Sequence, residues 1–220
     1  MSDEPEQLRR LLEVDDSSVR LQAALTAGTR PAASHVPVLV ERCAIEPDFY
    51  VREMLTWALT RHPGEATVDL LLGELQSGVA QARSQALHSL SKIGDVRAWP
   101  AITPDLLQHE DSETARTAWR AAVVLAPPDA QASLAEVLAT QLGRGDRDLR
   151  ISLSRALVSL WPAAEPVLAR AIMRGSDEAR IHALATQVLA RDPDEGFDSA
   201  VFEATAMLPL LGDAETDGRH

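Results

Sequence analysis

Six arginines, Arg20, Arg52, Arg83, Arg116, Arg150 and Arg180, return along the chain at separations of 32, 31, 33, 34 and 30 residues. Each stands in the same frame: a turn or capping residue, a small or apolar residue, the arginine, then apolar side chains at helical spacing. The frame reads DSSVRLQAALTAG from Asp16, DFYVREMLTWALT from Asp48 and GVAQARSQALHSLSKIGD from Gly78. It returns as DSETARTAWRAAVVLAP from Asp111, GDRDLRISLSRALVSLWP from Gly145 and GSDEARIHALATQVLARDP from Gly175. A steady period of this length marks one supersecondary unit used repeatedly, each copy burying its apolar face against its neighbours.

Between these units lie other apolar segments, at residues 4–14, 33–45, 65–76, 97–109, 129–142 and 163–174. VDLLLGELQ and LAEVLATQL carry Leu or Val at the i, i+3, i+4, i+7 spacing of a buried helix face. Pro63-Gly64, Gly94-Asp95, Pro127-Pro128, Trp161-Pro162 and Asp192-Pro193 punctuate the chain with residues that end helices or turn the backbone. The expected fold is all-α, an α-solenoid of about six stacked helical hairpins. The segment GFDSAVFEATAMLPLLG from Gly196 lacks a second helix and the arginine, and reads as a C-terminal capping helix. Residues 1–211 are expected to form a single domain, with 212–220 a disordered acidic tail.

Composition agrees with helices and narrows the functional classes. Aromatics are 4% of the 220 residues, so the core must come from Leu, Ala, Val and Ile. No apolar run approaches the ~18 residues that span a bilayer, and MSDEPEQLRR has no secretory pattern. Cys43 stands alone, which fits a reducing, cytoplasmic setting. Of the 21 basic residues every one but Lys92 is Arg, a bias expected of a GC-rich bacterial source. The net charge of −12 argues against nonspecific binding to nucleic acid or to anionic membranes.

ARSQALHSLSKIGD, VRLQAALTAG and VREMLTWALTR resemble the second helix of HEAT repeats. The closest likeness is to the short HEAT-like type of phycocyanobilin-lyase subunits, over about Glu4 to Leu211. HEAT units commonly run to roughly 40–47 residues, so a period of 32 fits only that short subtype. The resemblance implies that each repeated arginine pairs with a turn acid and ties adjacent units together. Asp16, Asp48, Asp111, Asp146 and Asp177 stand near the helix starts, where carboxylates also cap exposed N–H groups. The row is therefore read as a structural ladder, with no acid near Gly78 to serve its third rung. Positions one before, three after and seven after each arginine should face inward, as Val51, Leu55, Leu59, Ala82, Ala86 and Leu90 do in two repeats.

The resemblance also implies that second helices line a concave surface, where positions one, two, five and nine after the arginine would point. These are Glu53, Met54, Trp57 and Arg61, then Gln85, His88 and Lys92, with Arg155 and His182 further along and Arg120 on a neighbouring ridge. Trp and Arg are frequent binding anchors, and the cations suit an acidic, partly apolar peptide. Trp57 equally fits packing inside the stack. Trp119, three after its arginine, belongs inside.

Catalytic chemistry finds no foothold. The six histidines show no HxxxH or HExxH spacing, and no GxGxxG, GxxxxGKS or GxSxG segment occurs. No catalytic residue, metal site or cofactor is assigned. The expected function is a non-catalytic scaffold that binds a protein or peptide on the second-helix face. Tetrapyrrole handling, as in the bilin lyases, is the alternative, beside nucleic-acid or small-ligand binding in the same groove.

Overall fold

Pro100 and Pro104 interrupt what periodicity alone reads as one helix over residues 97–109. In the computed structural model, which describes residues 4–62 and 64–217, that stretch is a 3-10 helix over Val96–Ala101 followed by a four-residue α-helix. Proline supplies no N–H and clashes with the preceding turn, so a continuous α-helix cannot form through either position.

Elsewhere the expected hairpins are present. The helices run α1 Glu4–Leu12, α2 Ser17–Thr29, α3 Val36–Cys43, α4 Phe49–Thr60, α5 Gly64–Glu74 and α6 Ala80–Ile93. They continue as α7 Pro104–Leu107, α8 Ser112–Leu125, α9 Gln131–Ala139, α10 Arg147–Ser159, α11 Glu165–Arg174, α12 Asp177–Arg191 and α13 Phe197–Asp217. The described residues contain no strand.

The backbone divides into two units, where the sequence reading had one stack over 1–211. Unit 1 comprises Met1–Leu106 and Glu113–Leu125, and unit 2 comprises Leu107–Ser112 and Ala126–His220. In unit 1 the second helices α2, α4 and α6 lie side by side, and α3 packs on α5 in the other row. Unit 2 repeats this arrangement, with α10 against α12 and α9 against α11.

The inward positions are buried as the repeat frame requires. Val51, Leu55, Leu59, Ala82, Ala86 and Leu90 are all buried, as are Leu149, Leu153 and Leu157 in unit 2. Trp119 has no exposed surface.

In unit 2, α13 covers the end of the row. Its Ala200 and Ala204 pack against Leu184 and Ala185 of α12, small residues that let the two helices approach closely. The stretch expected as a tail falls in two parts. Residues 212–217 continue α13, and residues 218–220 lie outside the described residues.

Three of the aspartates at the helix starts act as caps. Asp16 accepts from Ser18 N at 2.8 Å, Asp48 from Val51 N at 3.1 Å and Asp146 from Leu149 N at 2.9 Å. Each satisfies one of the N–H groups that a helix start leaves without an internal partner. In the last repeat Ser176 takes this role, and Asp177, one residue further in, stands 3.7 Å from Arg180.

The ladder arginines mostly reach back to carbonyls of their own turn. Arg52 Nη1 donates to Glu46 O and Pro47 O, Arg83 Nη1 to Ser77 O, Arg150 Nη2 to Gly143 O and Arg180 Nε to Ile172 O. These carbonyls belong to the helix ends and turns that the hairpin leaves unsatisfied. Arg116 instead pairs with Glu113, one turn earlier on its own helix. The expected pairing between repeats with a turn acid occurs at Arg20. Its guanidinium grips Glu46 through Nε and Nη2, both at 2.8 Å, and also donates to Val14 O and Asp15 O.

Candidate functional site

Three second helices of unit 1 carry most of the side chains expected to bind. Glu53, Met54, Trp57 and Arg61 lie on α4 or at its C-terminal cap, Gln85, His88 and Lys92 on α6, and Arg120 on α8. The placement follows from the frame. Val51, Leu55, Ala58 and Leu59 take the buried stripe of α4, and Ala82, Ala86, Leu87 and Leu90 that of α6, which leaves the intervening positions outward. Glu53, Trp57, Arg61, Lys92 and Arg120 are exposed, while Met54, Gln85 and His88 are half-buried.

Contacts join these helices across the ridge. Thr56 Oγ1 and Ser89 Oγ meet at 3.4 Å in the seam between α4 and α6. Above that seam His88 Nε2 lies 3.1 Å from a Glu53 carboxylate oxygen. Burial lowers the proton affinity of His88, Glu53 raises it, and the positive charges of Lys92 and Arg120 lower it again; the net direction is down. His88 is thus held toward its neutral form, and the positive charge here comes from Arg61, Lys92 and Arg120.

Trp57 both packs and shows itself. A Cβ placed on Gly28 would stand 2.3 Å from the Trp57 ring and 2.9 Å from the Ala58 backbone, so the indole rests on the bare backbone of α2. The residue remains 38% exposed. Gly28 permits that approach, and a glycine inside a helix is the sequence signal for such close packing, one the sequence reading did not use.

Two candidates stand in unit 2. Arg155 is exposed on α10. His182, expected on the exposed face, is 2% exposed, a core histidine. The Gly143 N–H donates to its Nδ1 at 3.0 Å, and its Nε2 lies 3.0 Å from both Ser154 Oγ and Arg150 O. Two residues after the ladder arginine, it lies on the side of α12 that packs against α10. Burial pushes its pKa down from 6.5 to about 4; the bond to Arg150 O opposes this and the Arg150 charge assists it.

Because the folded value lies below the unfolded one, His182 favours folding above about pH 6.5. That contribution is lost as pH falls through 4. The drop corresponds to roughly 3 kcal/mol. Unfolding free energies for the wild type and His182→Gln, measured by urea from pH 7 to 4, should therefore converge on acidification. A constant difference across that window would contradict the placement of His182.

Glu46 is the residue of consequence that the sequence reading passed over. Burial pushes its carboxyl up, but hydrogen bonds from Arg20, the Asp48 N–H and Arg42 outweigh this and hold it below the ordinary carboxylate range. Cys43 is a core thiol, 3% exposed, which burial pushes up to about 12. A thiol so protonated is a poor nucleophile. Among the described residues no group of three or more His, Cys, Asp or Glu could hold a metal ion, and no helix is long and apolar enough to cross a membrane.

A family model of HEAT repeats matches residues 36–122, which include α3 to α6 and most of α8. That segment is similar to HEAT repeats. It holds every unit 1 residue expected to bind, from Glu53 to Arg120. No curated protein matches the chain. Among solved structures, an engineered protein is similar at 24% identity, covering 96% of this chain and 98% of its own, with a TM-score of 0.49. The complex of CpcE and CpcF of phycocyanin lyase from Nostoc sp. PCC7120 is similar at 18% identity, 93% and 94% coverage and a TM-score of 0.41. Human deoxyhypusine hydroxylase is similar at 16% identity, 94% and 96% coverage and a TM-score of 0.45.

Proposed function

We propose that unit 1 is a non-catalytic docking module that takes an acidic, partly apolar segment of a partner protein across α4, α6 and α8. The observation that carries this reading is the ridge itself. Arg61, Lys92 and Arg120 are exposed beside a half-exposed Trp57 and a half-buried Met54, in a chain whose net charge is −12. A local cluster of cations on an acidic protein steers an acidic partner to one face, while the aromatic and thioether side chains supply the apolar contact. Arg61 and Lys92 hold the same place in consecutive repeats, nine residues after their ladder arginines. That regularity suits an extended segment crossing the helices. The lone buried thiol of Cys43 fits a cytoplasmic setting.

The test compares proteins retained from native lysate by the wild type and by Arg61→Glu/Lys92→Glu. Both substituted positions are exposed, so the circular dichroism spectrum and melting curve should not change. A protein held by the wild type should be weakened at least about tenfold by the variant, and more so at low salt, since the attraction is screened. Equal retention by both chains would remove this face as the docking surface.

A further inference from the structure

The exposed cations at the ends of α4 and α6 have no carboxylate of their own. Among the described residues neither Arg61 nor Lys92 is in an ion pair, whereas Arg97, five residues beyond Lys92, is held by Asp95 and Glu65. In a chain with 33 acidic residues, two such cations on adjacent helices are a place for acids from outside.

The repeat sets how far apart those acids must be. Both cations stand nine residues after a ladder arginine, so they occupy equivalent places on α4 and α6, which lie side by side. Packed helices have axes about 8–10 Å apart, and the small seam residues Thr56 and Ser89 hold this pair close. One turn back from each cation, Trp57 and His88 form a second row, the indole partly exposed and the imidazole half-buried. Beyond that row Glu53 stands 3.1 Å from His88, so the charge changes sign across the ridge. Acids of a partner are therefore confined to the Arg61 and Lys92 side.

Backbone geometry then selects the form of the segment. A polyproline II chain has roughly three residues per turn and rises ~3.1 Å per residue, so side chains three apart face one way at about 9 Å. That interval matches the helix spacing. A β-strand puts same-face side chains at about 7 Å or 13 Å, and an α-helix reaches about 10 Å only at the seventh residue.

On the reading that this ridge docks a partner, we infer that the docked segment is an extended chain with two acidic residues three positions apart and an apolar residue between them. The acids pair with Arg61 and Lys92, and the apolar side chain lies against Trp57.

Fluorescence anisotropy at low salt tests this on the full chain. The probes are labelled peptides of one composition, with two glutamates in a host of proline, leucine and serine. The glutamates stand two, three or five positions apart, and a helix-forming peptide with glutamates seven apart is the fourth probe. The peptide with glutamates three apart and leucine between them should bind at least about fivefold tighter than each of the others. Exchanging that leucine for serine should weaken it at least about threefold, and Arg61→Glu/Lys92→Glu should weaken it at least about tenfold. Equal binding of all four peptides, tighter binding of the helical one, or no binding of the three-apart peptide would overturn the spacing. A serine peptide that binds as well as the leucine one would overturn the apolar contact. A three-apart peptide bound equally by wild type and by Arg61→Glu/Lys92→Glu would instead remove the ridge itself.

Discussion

Glu46→Ala should lower stability by about 3–5 kcal/mol, because it leaves a buried guanidinium without its counter-charge. The Arg20 and Glu46 side chains are 6% and 0% exposed, and the pair joins α2 to the turn before α4. Glu46 is fully engaged: one carboxylate oxygen accepts from Arg20 Nε and Arg42 Nε, and the other from Arg20 Nη2 and the Asp48 N–H. Removing the acid therefore strands Arg20, frees Arg42 and loosens the start of α4 in one step. For a chain of this length the melting temperature should fall by about 6–20 °C. The double variant Arg20→Met/Glu46→Leu should recover much of that loss, since apolar residues of similar volume replace a buried ion pair without an orphaned charge. A Glu46→Ala melting curve that overlays wild type would show that the pair contributes nothing to holding the first two hairpins together.

Leu59→Ala is the second large effect, about 2–5 kcal/mol. Leu59 has no exposed surface, and its helix α4 is enclosed by α2 on one side, α6 on the other and α3 across the layer. A helix held on three sides cannot move in to fill the space of a lost isobutyl group, so both the transfer and the cavity terms are felt. Urea unfolding should show a lower midpoint with an unchanged slope, the mark of reduced stability without a change in the surface exposed. A midpoint equal to that of wild type would place Leu59 outside the core.

The repeat and its helices were legible because the signal is redundant. Arg52, Arg83 and Arg150, with Val51, Ala82 and Leu149 before them, show the same frame, and each burial pattern followed from it. What the frame could not show was anything that breaks it. The helix expected over 97–109 fails at Pro100 and Pro104, two residues whose local effect overrides the apolar period.

The candidate site was half legible for a related reason. Position within the repeat placed Arg61, Lys92 and Trp57 outward, since it depends only on the helix period. The same arithmetic put His182 outward, yet that residue is buried against Ser154, Gly143 and Arg150. Which neighbour closes over a position is a matter of packing between elements, and no periodicity encodes it. Glu46 and Gly28 were missed on the same ground: each is defined by a partner 26 or 29 residues away in sequence, Arg20 in one case and Trp57 in the other.

The central claim is that the outward face of the second helices in unit 1 meets a partner protein. A photo-crosslinking residue placed at position 92 on that face, and in a separate chain at position 70 on α5, tests it most directly. Leu70 is an exposed side chain of a first helix, so it samples the opposite row at similar accessibility. Irradiation in native lysate should yield a discrete heavier adduct from position 92 and none from position 70, and adding Arg61→Glu should diminish it. An adduct from position 70 alone, or no adduct from position 92, would contradict the account.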